Sequence, residues 1–246
     1  MALEWFYEPG RVEAGVDEAG RGCLAGPVVA AAVIWASAET RPDVVADKRL
    51  KLVRDSKTLS AAQRMKAREF IQSSAVAWAV ASASVGEIDD LNILRASHRA
   101  MHRALDLLHG VGSPTDCEVS AHGGDATAVE FVLADGDRFD SYMSPTEFVP
   151  HACFTSGDNR YLAIAAASIL AKTYRDEYVC NTLHARFPLY GWDSSKGYGT
   201  AAHMQALEQH GACEQHRRSF APVSRVLRAQ GNPDARVSQV PVLSAT

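Results

Sequence analysis

The sequence predicts an α/β protein with a mixed sheet and a helical C-terminal region. Three observations carry this. Strand-like apolar runs come early and helical patterns late. Two apolar runs, residues 12–16 and 28–35, are joined by a short glycine turn, which makes them an antiparallel pair. The chain of 246 residues is 47% hydrophobic, enough to bury one large core.

Residues 12–16 read as a strand leading into Gly20-Arg21-Gly22, and residues 28–35, rich in Val, Ala and Ile, as its buried partner. Residues 36–58 form a polar connection ending in Asp55-Ser56-Lys57. Ser60 is placed to cap a helix running to about residue 73. Residues 75–85 form a third strand, with Val76, Trp78 and Val80 in alternation. Residues 88–108 have helical spacing, with Leu91, Leu94, Met101, Leu105 and Leu108 on the core face. Asp89 and Asp90 at its start suit the helix N-terminus. Residues 110–127 are rich in Gly, Ser, Thr and Asp and read as a surface insertion. Residues 129–134 form another buried strand, ending in Asp135-Gly136. Residues 137–157 are irregular, with a strand around 148–154. A long helix spans 159–187 and stops at Pro188. Its first half is small-residued (Ala163, Ala165, Ala166, Ala167, Ser168, Ala171), so it can lie close on a sheet. Residues 192–200 form a glycine loop, followed by helices at 201–210 and 221–229. From Gly231 the chain is polar and broken by Pro233 and Pro241. This gives one domain over 1–230, with its helical segment from about 188, and a disordered tail over 231–246. No internal repeat is present.

A net charge of −4 gives no global basic field, so a nucleic acid would be held by local basic patches. Cys23, Cys117, Cys153, Cys180 and Cys213 contain no Cys-x-x-Cys pair, which argues against zinc and a disulfide framework and for a reducing compartment. Glu4, Glu8 and Arg11 break the N-terminus, so no signal peptide is expected. No apolar run approaches the ~20 residues of a membrane span. A cytoplasmic location is expected.

Val16-Asp17-Glu18-Ala19-Gly20-Arg21-Gly22 is the most informative stretch. Two adjacent acids beside a flexible, donor-rich turn suit a hard cation meeting a phosphate. Two divalent ions can clamp an in-line displacement at phosphorus, and that needs further carboxylates from other elements. Asp135 and Asp158 fit. Each also has a plain alternative: an Asp-Gly turn for Asp135 and a helix cap for Asp158. Asp176 and Glu177 are rivals, but Asp176 lies four residues after Lys172 and suits a salt bridge.

Gly20-x-Gly22-x-x-x-Gly26 resembles a dinucleotide fingerprint, but Pro27-Val28-Val29 continues as a strand where that motif opens a helix. Ser56-Lys57 is a donor pair suited to a phosphate oxygen, or a solvated loop lysine. Lys196-Gly197-Tyr198-Gly199 offers a ring to stack on a sugar or base, or to pack in the core. His216-Arg217-Arg218 is a basic cluster able to touch a nucleic-acid backbone. His98, His102, His109 and His122 read as surface residues. Cys23 is a poor nucleophile, since neighbouring carboxylates oppose the thiolate.

Taken together these stretches resemble the type 2 ribonuclease H family, specifically ribonuclease HII. The matching blocks are Gly15-Val16-Asp17-Glu18-Ala19-Gly20-Arg21-Gly22 with Ala25-Gly26-Pro27-Val28-Val29, then Asp55-Ser56-Lys57-x-Leu59, then Ile88-Asp89-x-x-Asn92-Ile93 with Ala96 and Met101. Ala134-Asp135-Gly136 follows, then Gly157-Asp158 with Ile164-Ala165-Ala166-Ala167-Ser168-Ile169-x-Ala171-Lys172 and Arg175-Asp176. Lys196-Gly197-Tyr198-Gly199-Thr200 and His216-Arg217-x-Ser219-Phe220-x-Pro222 complete the order over residues 12–225.

The resemblance implies an RNase H-like fold with a central mixed five-stranded sheet flanked by helices. It implies endonucleolytic hydrolysis of RNA in RNA–DNA hybrids, and cutting 5′ of single ribonucleotides embedded in duplex DNA, leaving 3′-hydroxyl and 5′-phosphate ends. Asp17, Glu18, Asp135 and Asp158 map onto the family's metal-binding carboxylates, for two Mg²⁺ or Mn²⁺ ions. Gly20, Arg21 and Gly22, with Tyr198, map onto recognition of the ribose 2′-hydroxyl and the next nucleotide. Ser56, Lys57 and Lys196 join the substrate-binding set. The Arg21 spacing separates the chain from the ribonuclease HIII group. Ser156 stands where the family usually has lysine. A monomer is expected. Gln239-Val240-Pro241-Val242-Leu243 in the tail is a faint sliding-clamp-like peptide. Two other readings stay open: a metal-dependent RNase H-like nuclease acting on DNA, and a non-catalytic duplex-binding module.

Overall fold

The acid pair lies inside a strand. In the computed structural model, which describes residues 3–37, 39, 41–111 and 117–231, β1 (Glu13–Ala19) runs through both acids before the turn. It pairs antiparallel with β2 (Val28–Ile34), from Ala14↔Ile34 to Ala19↔Val29. β2 is buried on both faces, as its unbroken apolar sequence requires. β3 (Ala77–Ala83) adds antiparallel to β2, and β4 (Ala121–Gly124) to β3. On the other side β5 (Phe131–Asp135) runs parallel to β1. β6 (Tyr142–Met143) and β7 (Phe148–Val149) form a separate small hairpin, and β8 (His151–Phe154) runs parallel to β5. The main sheet has the order β4-β3-β2-β1-β5-β8.

The sheet therefore has six strands among the described residues, not five. The extra strand, β4, comes from the stretch expected to be a surface insertion. Its glycines read as loop because glycine weakens strands. Here they permit close pairing instead: a Cβ on Gly123 would sit 2.7 Å from Trp78 Nε1, and one on Gly124 (φ +86°) 2.2 Å from the Val76 carbonyl oxygen. The strand expected over 148–154 divides at Pro150, whose missing N–H cannot join a ladder.

The 36–58 connection holds a short helix, α1 (Pro42–Ala46). α2 (Ala61–Ser74) begins where the sequence placed it. Ser60 Oγ accepts from the Gln63 amide at 3.2 Å, and Gln63 Oε1 accepts from the Ser60 amide at 2.9 Å. Ser60→Ala is expected to cost about 1 kcal/mol, read from the denaturation midpoint at unchanged m-value.

The single helix expected over 88–108 is two helices, α3 (Val85–Leu91) and α4 (Ile93–Leu108). Asn92 breaks them at φ 73° and caps α4 through the amides of Leu94 and Arg95. Ser84 and Glu87 cap α3, so Asp89 and Asp90 do not serve a helix start. Asp89 instead accepts from the amides of Arg218 and Ser219, tying α3 to the C-terminal region.

α5 (Leu162–Glu177) continues through a π-helical stretch, Tyr178–Leu183, into α6 (His184–Arg186). α7 (Trp192–Ser195) is one turn inside the expected loop, and α8 (Ala201–His210) and α9 (Ala221–Ala229) lie where the sequence placed them. The expected disordered tail falls on residues outside those described, Gly231 apart.

Strand alternation sorts the core. Val16, Val28, Ala30 and Ala32 pack toward α4, and Val29, Ala31 and Val33 toward α2 and α5. A Cβ on Gly15 would fall 2.3 Å from the Ala163 carbonyl carbon, so the backbone of α5 lies directly on β1. That contact is what the alanine-rich helix face is for. His98 is buried on α4, against the surface expectation, while His102 and His109 are half-buried and His122 exposed. Position 98 shares the core face with Met101 and Leu105, and its ring packs on Phe139. The five cysteines are free. No helix among the described residues is long and apolar enough to cross a membrane.

Candidate active site

Register brings the first three acids together. β1 and β5 are parallel with Val16 opposite Ala134, so Asp17, inside β1, lies beside Asp135 at the end of β5. β5 and β8 are parallel with Asp135 opposite Phe154. The chain then turns back through Ser156 (φ 58°) and Gly157, whose amide donates to Asp135 Oδ1 at 2.7 Å. A Cβ on Gly157 would sit 2.6 Å from Ile164 Cδ1, so only glycine fits between the strand end and α5. Asp158 is thereby buried over the same strand ends. It does not cap α5, whose first flanking residue is Tyr161, and its Oδ1 accepts from Asn159 Nδ2 at 3.2 Å.

Alternation sends Asp17 and Glu18 to opposite faces of β1. Ser168 on α5 acts on Asp17, and His98 on α4 acts on Glu18. Glu18 Oε1 accepts from Arg21 Nη1 at 3.1 Å. Asp135 acts on Asp17, Glu18 and Asp158 alike.

Burial pushes the Asp17 carboxyl well above the usual range, and the negative charges of Glu18 and Asp135 push it further. Ser168 and the Glu18 amide pull the other way. Glu18 is raised by burial first, against the pull of Arg21. Asp158 is raised by burial, then by Asp135 and Asp55, with Lys57 opposing. Such a cluster is short of positive charge, and its hard oxygen donors are those that Mg²⁺ and Mn²⁺ take. As they stand, no three acidic, imidazole or thiol groups among the described residues are arranged to hold a metal ion. Their oxygens are turned to local donors: the Glu18 amide, Arg21, the Gly157 amide and Asn159. The residues fit such cations by donor type and charge.

The rival acids are engaged elsewhere. Asp176 pairs with Lys172 at 3.0 Å, as their spacing predicts, and Glu177 pairs with Arg68. Ser56 differs from expectation: it is buried, and its hydroxyl bonds that of Ser168 at 3.0 Å, behind Asp17. Lys57 beside it is exposed and acts on Asp158. Lys196 is also held within the protein, its Nζ donating to Cys180 Sγ at 3.0 Å and to the Asp193 carbonyl at 3.3 Å. Tyr198 is 40% exposed, with Lys172 Nζ 5.3 Å from its ring centre.

Gly20 takes φ +96°, and a Cβ there would meet Arg175 Nε at 2.1 Å. Gly22 has nothing within 4 Å of the same added atom. Among the described residues, the amides of Arg21 and Gly22 donate to no protein acceptor. The turn thus presents bare N–H donors beside the acid cluster. The expected basic surface cluster at 216–218 is not one: His216 and Arg217 are fully buried, and Arg217 bonds backbone carbonyls of this turn. Sequence reasoning also missed Ser168, read only as a small residue, and His98. Neither carries a local signal, because each meets the acids through long-range packing.

The family model described as Ribonuclease HII matches residues 14–223. The chain is similar to the Ribonuclease HII of Bacteroides fragilis (46% identical over 220 residues, 89% of this chain and 94% of that one). Its fold is similar to the crystal structure of the ribonuclease H2 from Pyrococcus horikoshii OT3 (TM-score 0.61, 21% identity, 88% of this chain and 97% of that one). It is also similar to the RNase HII in the PCNA:RNase HII complex from Archaeoglobus fulgidus (TM-score 0.60, 21% identity, 85% and 95% covered).

Proposed function

Because the chain belongs to the ribonuclease HII family, and so is a ribonuclease H acting on the RNA strand of RNA–DNA hybrids, we propose that it also cuts 5′ of single ribonucleotides embedded in duplex DNA. The products are 3′-hydroxyl and 5′-phosphate ends. One observation carries the proposal: four carboxylates from three chain segments converge beside a turn whose amides are open to a ligand. We take residues 1–230 as the catalytic unit.

Asp17, Glu18, Asp135 and Asp158 would hold two Mg²⁺ or Mn²⁺ ions, which supply an activated water and stabilise the leaving 3′ oxygen. The chain's own groups do the reading. Gly20 makes the turn, and the unpaired Arg21 and Gly22 amides would donate to a 2′-hydroxyl, the group that marks RNA locally. Tyr198 gives the next nucleotide a stacking face. Lys57, exposed beside Asp158, would meet a backbone phosphate. Ser56 acts from behind, holding Ser168 against Asp17, and Lys196 anchors the Tyr198 loop. The peptide at 239–243 lies outside the described residues. Its contact with a sliding clamp stays a proposal, alongside the clamp-bound relative of similar fold.

Two duplexes identical except for one 2′-hydroxyl test this reading. Cleavage is expected only where the ribonucleotide stands, with discrimination of at least ~10³-fold, because donors covered by the duplex and left unpaired penalise the deoxy analogue. Equal cutting would identify a DNA nuclease, and binding without cutting a duplex-binding module. Gly22→Ala is expected to leave the melting temperature unchanged, since its Cβ meets no atom within 4 Å. It should slow cleavage at a single ribonucleotide about tenfold by standing in front of the amides, the loss of about one hydrogen bond.

A further inference from the structure

Two guanidiniums lie wholly inside the protein behind the glycine turn. Arg175 and Arg217 are both 0% exposed. Arg175 donates from Nε to the Pro27 carbonyl (3.4 Å), from Nη1 to Lys196 (2.9 Å) and from Nη2 to Ala25 (3.1 Å). Arg217 donates from Nε to the Gly26 carbonyl (3.0 Å), from Nη1 to Arg21 (2.9 Å) and from Nη2 to Pro27 (3.2 Å). The nearest carboxylate, Asp176, is 3.8 Å from Arg175 and already pairs with Lys172. Burial and the charge of Arg175 push Arg217 down to about 9, so it remains a cation at neutral pH. Burying two guanidiniums is costly when their main partners are neutral carbonyls and the one close carboxylate is shared with Lys172. A protein that needed only packing here would use an apolar side chain.

The partners explain the expense. A trans peptide points its C=O and the following N–H in opposite directions. Holding the Arg21 carbonyl inward therefore turns the exposed Gly22 amide outward. Arg217 holds the glycine turn and the residues after it, and Arg175 joins those residues to the Tyr198 loop through the Lys196 carbonyl; the two segments are also laced together elsewhere. The Leu24 amide donates to the Gly197 carbonyl at 2.8 Å, and a Cβ on Gly197 would sit 2.7 Å from the Ala25 oxygen. His203 Nδ1 donates to the Tyr198 carbonyl at 2.9 Å, and Trp192 Nε1 donates to His203 Nε2 at 2.9 Å. A planar fork with donors in several directions fits this task, and an ammonium does not.

We propose that Arg175 and Arg217 are positioning residues for ribonucleotide recognition: from inside, they lock the glycine turn and the Tyr198 loop into one block with its amides facing the duplex. The proposal rests on the 2′-hydroxyl reading above. An isolated ribonucleotide offers one 2′-hydroxyl in one register, so a loosened turn is felt most there. An all-RNA strand offers one at every step and tolerates misplacement.

Arg217→Lys and Arg175→Lys test it, with kcat and KM measured on a single-ribonucleotide duplex and on an all-RNA hybrid. The expected result is a kcat about tenfold lower on the single-ribonucleotide duplex, KM within about threefold, and a ratio of the two kcat/KM values at least about fivefold lower; a tenfold change is about 1.4 kcal/mol. A merely structural role lowers the folded fraction and scales both substrates together, so an unchanged ratio overturns the inference. The two variants test it independently. Hydrogen exchange on the unaltered protein adds a readout that needs no variant: the Leu24 and Gly26 amides should exchange only through global unfolding, and exchange by easy local opening would also overturn it. If the unaltered enzyme shows no preference for ribonucleotide-bearing duplexes, the functional reading fails. If it does and the variants keep its ratio, only this inference fails.

Discussion

Asp17→Asn is expected to abolish cleavage, by about 10³-fold or more, while the protein still folds. Charge stabilisation through a bound cation contributes several kcal/mol to such a transition state, and 4 kcal/mol is about a thousandfold in rate. Asp17 lies within β1 in the acid cluster, 6% exposed and pressed by Glu18 and Asp135. An amide keeps the shape and the hydrogen bond from the Glu18 amide but carries no charge for a metal. Ionised, the buried carboxylate destabilises the metal-free fold, because burial and its neighbours favour the neutral form. The metal-free variant should therefore melt no lower than the unaltered protein. Mg²⁺ or Mn²⁺ should raise the melting temperature of the unaltered protein, and that of the variant less. Full activity in a folded Asp17→Asn variant would remove Asp17 from the metal site.

Tyr198→Ala is expected to cut single-ribonucleotide duplexes about 10- to 100-fold more slowly, since stacking on one aromatic ring is worth ~1–3 kcal/mol. The ring is 40% exposed, so its removal should cost little stability. Lys172 lies 5.3 Å and the Arg175 guanidinium 5.9 Å from its centre, which holds the ring as a platform beside the glycine turn. Tyr198→Phe keeps the platform and should retain most activity. Unchanged turnover in the alanine variant would leave Tyr198 a packing residue.

The features legible in the sequence were those set by neighbours along the chain. Ser60 and Gln63 cap α2 because the box closes within four residues. The Lys172–Asp176 pair follows from one helical turn. Pro188 ends the long helix for want of an N–H. The features misread were set at a distance. Asn92 accepts a left-handed backbone and splits a run that periodicity alone joins. β4 forms because Gly123 fits beneath Trp78, a contact 45 residues away in the chain. Arg217 reads as a surface cation until the carbonyls of residues 21, 26 and 27 are seen around it.

The candidate residues were legible in the sequence: two adjacent acids, two more each beside a glycine, and a glycine turn with an aromatic loop to come. Those are choices of residue type, and carboxylates are the donors a hard cation takes whatever the fold. That the acids meet was decided by the tertiary structure, through the parallel registers of β1, β5 and β8 and the glycine turn at 157. Strand register depends on the packing of whole faces against α4 and α5, and a buried guanidinium on carbonyls nearly 200 residues away. No local pattern encodes either, because both are minima of the assembled chain rather than of any segment of it.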